Sequence, residues 1–475
     1  LAHAGGIVAQ SERGLVWGAT FRIEKADRVR LHLENVHLPE GTVLWVYGDV
    51  EQPTAFDRDL VDPDGSLWTP SVRGPVVHLE VEVPSAKSET DAASFLIREA
   101  IELVSVKPAA NIGSEDLSTC LVDVNCRTGS IVDVLRASTA HLEYVKGASS
   151  FVCTGGLVND KLPATFVPYL LTANHCFDTQ SSASSLEAYW DYRSASCGAS
   201  FPNCCGNNRT LGATLLATNA TSDFTFVQMS SAPGGRTYLG WTSTAPANGT
   251  ALYRVSHPFP DDFFVPAPQM FSKSTVNTAF GACSTKPRPN FIYSSKVDGG
   301  LYGGSSGSPV TLENGQIVGQ LFGACGSDPS AGCSASNATV DGAFATTFPF
   351  IQQFINVEGA TCVASSTVAC LNNNRFGVKV DWRTTSGSGT ATAIKYTADS
   401  GFYWFFNAEN IELFAKMLNG CAVNSRYWFF SAAATDVEYT ITVTDSKNGS
   451  VKTYFHAGGT SSVAITDTNA FATCP

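Results

Sequence analysis

The chain has 475 residues, of which 44% are hydrophobic and 15% charged, with a formal net charge of −12. That length holds two to four domains with a sizeable core, and that composition excludes a disordered chain. The acidic balance argues against nucleic acid as a partner, whose binders carry a basic surface.

Residues 1 to 112 contain no cysteine, which sets them apart from everything that follows. Val29, Leu31 and Leu33 alternate with Arg30, His32 and Glu34; Val77, Leu79, Val81 and Val83 alternate with His78, Glu80 and Glu82. A period of two predicts strands with one wet face. Pro39-Glu40-Gly41 and Pro63-Asp64-Gly65 are turn signals between them. The segment reads as a β-sandwich with no constellation for chemistry, and His32, His37 and His78 as strand or surface residues. Pro108 to Glu115 reads as a linker. The chain begins Leu1-Ala2-His3-Ala4, with no leader visible, and one is expected to have been removed already. No apolar run is long enough to span a membrane.

Fourteen cysteines lie in the last three-quarters of the chain, an even number that predicts an oxidising compartment and export. Neither CxxC nor HExxH occurs, so neither a metal nor a cofactor is expected.

Three stretches beyond residue 120 carry chemistry. Tyr169-Leu170-Leu171-Thr172-Ala173-Asn174-His175-Cys176 is an apolar run ending on a histidine beside a cysteine. Ser222-Asp223-Phe224-Thr225-Phe226-Val227-Gln228-Met229 is an aspartate opening a strand. Gly303-Gly304-Ser305-Ser306-Gly307-Ser308-Pro309 is a glycine-dense turn with serine at its centre. Glycine lets such a turn adopt conformations closed to other residues and bring its amides near a ligand. A histidine, an aspartate and a glycine-cradled serine are the parts of an activated nucleophile.

These stretches resemble those of trypsin-like serine proteases, most closely the secreted bacterial lysyl endopeptidases. Further matching pieces are Cys120-Leu121-Val122-Asp123-Val124-Asn125-Cys126, Cys153-Thr154-Gly155-Gly156-Leu157-Val158, Tyr189-Trp190-Asp191-Tyr192 and His257-Pro258. The resemblance implies an all-β fold of two packed six-stranded barrels over residues 113–358, with the active site between them. Residues 1–112 would form an N-terminal β-sandwich, a pro-domain released by cleavage between about Ala109 and Ser118. Residues 359–475 would form a C-terminal β-sandwich.

Carried over residue by residue, the resemblance makes Ser306 the nucleophile, His175 the general base and Asp223 its orienting partner. The amides of Gly304 and Ser306 would form the oxyanion hole. Asp178 and Asp191 lie nearer His175 in sequence but off the motif. The resemblance pairs Cys153 with Cys176, Cys126 with Cys197 and Cys120 with Cys283, while proximity suggests Cys325 with Cys333. Cys204, Cys205, Cys362, Cys370, Cys421 and Cys474 are left unassigned.

Two positions depart from trypsin. Ser305 stands where trypsin has the aspartate that pairs with the new N-terminus, so that activation route is closed. Gly300 stands where trypsin has its pocket aspartate. The residues expected to bind substrate are His257, Tyr238, Asp341, Phe322 and Gly323. His257 matches a histidine that lysyl endopeptidases stack beside the catalytic one, and Tyr238 replaces the accompanying tryptophan. Asp341 is open to two readings: the buried charge for a lysine or arginine side chain, or a turn residue before Gly342. A small or apolar preference is the rival.

The last segment alternates Tyr439, Ile441 and Val443 with threonines, turns at Lys447-Asn448-Gly449 and returns over Val451–Phe455. Its aromatic runs, Phe402–Phe406 and Tyr427–Phe430, read as sandwich core, or as a face for a polymer or a protein. Five Asn-X-Ser/Thr sites, at Asn208, Asn219, Asn248, Asn337 and Asn448, read as turns if the source is bacterial. Two functions follow: a secreted or periplasmic serine endopeptidase acting on protein or peptide substrates, or a silent homologue that binds or adheres.

Overall fold

The computed structural model describes residues 6–12, 14–84, 93–103, 120–161, 166–200, 208–259, 267–281, 283, 285–330, 332–356, 362–447 and 449–474. The predicted linker and the Cys204-Cys205 pair lie outside them, and Asn448 interrupts the described part of its turn. The chain divides into two compact units, Leu1–Asn159 with Pro168–Ile351, and Asp160–Val167 with Gln352–Pro475.

The first unit opens with the alternating segments. Val29, Leu31 and Leu33 sit in strand Arg28–His37 at 1% exposure or less, and Val77, Leu79 and Val81 are fully buried in Val76–Pro84. Strand Val76–Pro84 lies at the centre of a five-stranded sheet, between Gly14–Arg22 and Val43–Tyr47. Arg28–His37 belongs to a second sheet with Leu67–Trp68, Val72–Arg73 and Ser94–Leu103. The inward rows of both sheets share one core, as in a sandwich. The wet face is not uniform. Arg30, on the polar row, is 3% exposed.

Two seven-stranded antiparallel sheets follow. The first runs Arg209–Leu211, Glu187–Trp190, Thr139–Lys146, Ser149–Val158, Tyr169–Ala173, Phe224–Met229, Ala213–Asn219. The second runs Val122–Asp123, Met270–Val276, Ala251–Ser256, Pro309–Thr311, Ile317–Cys325, Ala338–Ala343, Phe291–Asp298. Pairing of Met270–Val276 with Phe291–Asp298 closes six of those strands into a barrel. Among the described residues the first sheet has no such closing ladder, so it is a half-barrel where the resemblance implied a full one. This is the all-β trypsin-like architecture. No helix among the described residues is long and apolar enough to cross a membrane.

In the second unit, Glu438–Asp445 and Val451–His456 pair antiparallel with Thr442 opposite Thr453, the hairpin read from the sequence. They join the sheet of Val368–Leu371 and Phe376–Thr384, which faces a sheet of Thr392–Lys395, Ser400–Trp404, Leu413–Asn419, Tyr427–Ala433 and Ile465–Phe471. Tyr403, Phe405, Tyr427 and Phe429 are core; Phe402, Trp404, Trp428 and Phe430 alternate with them onto the opposite face, half-buried. Cys362–Cys370 and Cys421–Cys474 are bridged.

Arg375 fastens this sandwich. Its Nε and Nη2 donate to the two carboxylate oxygens of Asp445 at 2.9 and 2.7 Å, and its Nη1 to the Tyr427 hydroxyl at 2.7 Å. Asp445 is fully buried. Arg375→Met should therefore strand a buried carboxylate, costing about 3–5 kcal/mol. Urea denaturation followed by tryptophan fluorescence would register the loss as an earlier transition.

Candidate active site

His175 stands two residues beyond the end of strand Tyr169–Ala173, whose Thr172 and Ala173 pair with Thr225 and Phe224. Asp223 immediately precedes that partner strand, in a left-handed conformation (φ 54°) that turns its side chain back. Its Oδ1 accepts from the His175 amide at 3.0 Å, and its Oδ2 meets His175 Nδ1 at 2.7 Å. The Asp223 side chain is 4% exposed against 37% for His175, so the imidazole faces solvent from a buried anchor. With Nδ1–H donating to the carboxylate, Nε2 is left as the acceptor. The second barrel grips the same segment: Gln320 Nε2 donates to the carbonyls of Ser222 and Asp223 at 2.6 and 3.2 Å. The sequence neighbours are engaged elsewhere. Asp191 forks onto Arg236 at 3.0 and 2.8 Å, and Asp178 lies 3.4 Å from Lys146.

The serine turn is held against strand Ser149–Val158, the neighbour of the histidine strand, by Thr154. Thr154 Oγ1 donates to the Gly304 carbonyl at 2.8 Å, and its amide donates to the Ser306 carbonyl at 2.8 Å. Gly304 and Gly307 both adopt left-handed φ, 82° and 80°. A Cβ on Gly307 would sit 2.1 Å from Thr172 Oγ1 and 2.8 Å from the Ala173 nitrogen, so only glycine permits this approach. Gly307 N also donates to the Leu321 carbonyl at 2.9 Å. Among the described residues, neither the Gly304 nor the Ser306 amide donates to a backbone carbonyl. Ser305 is buried, and its Oγ accepts from Ser256 Oγ at 3.1 Å.

The substrate-binding set divides. The Phe322 ring meets the His175 ring edge-on with centroids 5.6 Å apart, and a Cβ on the neighbouring Gly323 would touch nothing within 4 Å. Lys286, which the sequence did not single out, lies 4.0 Å above the Phe322 ring. His257, expected beside His175, is instead fully buried behind the turn, edge-on to His141 at 5.4 Å and stacked on Tyr192 at 5.7 Å. Burial, reinforced by His141, pushes its pKa well below the usual histidine range. Tyr238 packs against the core of the first sheet, and burial raises its pKa.

Asp341 is neither a free carboxylate nor a turn residue. It lies inside strand Ala338–Ala343, is fully buried, and is ion-paired with the equally buried Arg254. Gly300 has no room for a side chain: a Cβ there would lie 2.2 Å from Cys120 Sγ.

Cys126–Cys197 and Cys153–Cys176 form as the resemblance implied. The other two expected pairs are corrected to Cys120–Cys333 and Cys283–Cys325. Chain proximity misleads for Cys325 and Cys333. Cys325 ends its strand opposite Ala338, and the intervening loop carries Cys333 over to Gly300, where Cys120 waits. Among the described residues no cluster of His, Cys, Asp or Glu could hold a metal.

Fold and site together define a trypsin-like domain. Residues 114–344 match the family model for the lysyl endopeptidase C-terminal domain. A lysyl endopeptidase of Pseudomonas aeruginosa is 26% identical over 248 residues, 48% of this chain and 52% of that protein. The chain thus spans about half the length of that relative. A secreted RxLR effector protein 73 of Plasmopara viticola is 24% identical over 304 residues, 60% of this chain and 71% of that protein. Similar solved structures include a scabies mite inactivated protease paralogue (15% identity, TM-score 0.36, 47% of this chain and 96% of that one). A protease of M. tuberculosis in its active form is 16% identical, with TM-score 0.34, over 56% of this chain and 96% of that one. The fold rests on the sheets described above rather than on these two.

Asp341→Asn should leave the Arg254 guanidinium buried without a counter-charge, at about 3–5 kcal/mol. The expected result is a lower melting temperature by calorimetry, with any loss of turnover equal for basic and apolar peptide substrates. A loss confined to basic substrates would restore Asp341 to the pocket.

Proposed function

We propose that the chain is a secreted serine endopeptidase that hydrolyses peptide bonds through an acyl-enzyme. The observation that carries this reading is the double hold of Asp223 on His175, at backbone and ring, beside a serine turn packed on the same strand. In this mechanism His175 Nε2 takes the Ser306 hydroxyl proton as Oγ attacks the scissile carbonyl. Asp223 fixes the tautomer and stabilises the imidazolium. The Gly304 and Ser306 amides receive the oxyanion, a contribution of about 3–4 kcal/mol per donor. His175 then returns the proton to the leaving amine, and water repeats the sequence on the acyl-enzyme.

The protease unit is proposed to span residues 113–358, flanked by sandwiches over 1–112 and 359–475, the latter with an aromatic face suited to a polymer or protein surface. Six disulfides among the described residues fit an oxidising destination. For the residue before the scissile bond we propose an uncharged side chain. A lysine or arginine head group needs a desolvated carboxylate, and neither Gly300 nor the Arg254-paired Asp341 offers one. Cleavage-site profiling on a peptide library tests this; dominant cleavage after lysine would overturn it.

Ser306→Ala and His175→Ala should each lower kcat by about 10⁶-fold with the fold intact, and the double variant should cost little more, because triad members act as a unit. Covalent labelling by a fluorophosphonate probe, lost in Ser306→Ala, separates this reading from that of a silent homologue. An unlabelled wild-type chain would favour the latter.

A further inference from the structure

The first part of the polar row of strand Arg28–His37, Arg28 and Arg30, is turned away from water. It meets the first sheet of the protease fold. Arg28 Nη1 donates to Glu143 Oε1 at 3.0 Å, Nη2 engages the other oxygen, and Nη2 also reaches the Tyr189 hydroxyl at 3.0 Å. Arg30 lies 3.8 Å from Glu187 and donates to the Ser185 carbonyl. Ser71 binds Glu187 through its amide, at 2.9 Å, and through its hydroxyl, while Arg209 Nη1 donates to the Ser71 carbonyl at 2.7 Å. Arg30 and Glu187 are 3% and 0% exposed. Burial works against ionisation of Glu143, but Arg28 and His141 together more than offset it, and the carboxyl is held well below its usual range. Charges removed from water this fully are tolerated only when paired, and here the partners lie on opposite sides of the linker.

The contact reaches the serine turn. Glu143 Oε1 also meets His141 Nε2 at 3.3 Å, and the His141 ring abuts His257. The His257 amide donates to Thr154 Oγ1 at 3.0 Å, the same hydroxyl that holds Gly304. A Cβ on Gly304 would lie 2.7 Å from the His257 carbonyl, so the two backbones have no play between them.

We propose that the Glu143–Glu187 face of the first sheet is a permanent docking surface for the N-terminal sandwich, whose Arg28 and Arg30 hold the serine turn in register through Glu143, His141 and His257. On this reading Glu143 and His141 are positioning residues. The sandwich is a working part of the enzyme that stays bound even if the linker is cut. The positioning half rests on the triad proposed above; the docking half does not.

The test inserts a site-specific protease sequence between residues 104 and 119 of the full chain and cuts it. The expected outcome is that both pieces co-elute in gel filtration at physiological salt. Arg28→Ala and Glu143→Ala should each weaken the association by about thirtyfold or more, and the double variant by less than the product of the two. In the uncut chain, Arg28→Ala should lower kcat by about two- to thirtyfold with KM little changed, because only transition-state alignment is lost. Separation of the wild-type pieces, or multiplicative effects in the double variant, would overturn the docking. An unchanged kcat in Arg28→Ala would overturn the positioning. Should wild type fail to label with fluorophosphonate while its pieces still co-elute, the triad reading falls and the docking stands.

Discussion

Thr154 ties the serine turn to the first sheet. The turn has no ladder of its own, and its two left-handed glycines leave it free to take other shapes. Thr154, in the middle of the first half-barrel, accepts from the His257 amide and donates to Gly304, while its own amide holds Ser306. Thr172 Oγ1 donates to the Thr154 carbonyl at 2.9 Å, which ties that strand to the one leading to His175. The geometry of histidine, serine and the two amides is therefore referred to a single strand. Gln320 supplies the reciprocal hold, from the second barrel onto the Asp223 segment.

What the sequence disclosed follows from how local each signal is. The alternation at Val29–Leu33 and Val77–Val83 survives because a strand needs only its own period to bury a row. The pairing of Asp223 with His175 and the left-handed glycines of the Gly303–Pro309 turn match settings that are local in the sequence. Arg30 was misread as wet, since its cover lies more than a hundred residues away, at Ser185 and Glu187. Asp341 was given two readings and fits neither, because its partner Arg254 arrives on a different strand of the barrel. His257 and the Cys120 and Cys325 bridges failed for the same reason: each is decided by what packs against it, which chain order does not encode. Thr154 was in plain view in a matched stretch, yet nothing in a Cys-Thr-Gly-Gly run says that the hydroxyl has two partners at once.

The two sandwiches present different physical problems. The C-terminal one is self-sufficient in charge, with Arg375 and Asp445 paired inside it. The N-terminal one exports two guanidiniums, Arg28 and Arg30, into a neighbour's interior, so these two charges are paired by the protease fold.

The bridge between Cys120 and Cys333 also bears on how this lineage can change. Its sulfur stands 2.2 Å from where a side chain at Gly300 would begin, the position at which trypsin keeps its aspartate. Replacing this glycine by aspartate is a small chemical step, yet it meets a disulfide. Acquiring trypsin's kind of pocket here would require losing two cysteines and gaining a carboxylate together, with each intermediate less fit to fold. Covalent architecture, rather than a shortage of mutations, fences this pocket off from that neighbouring solution.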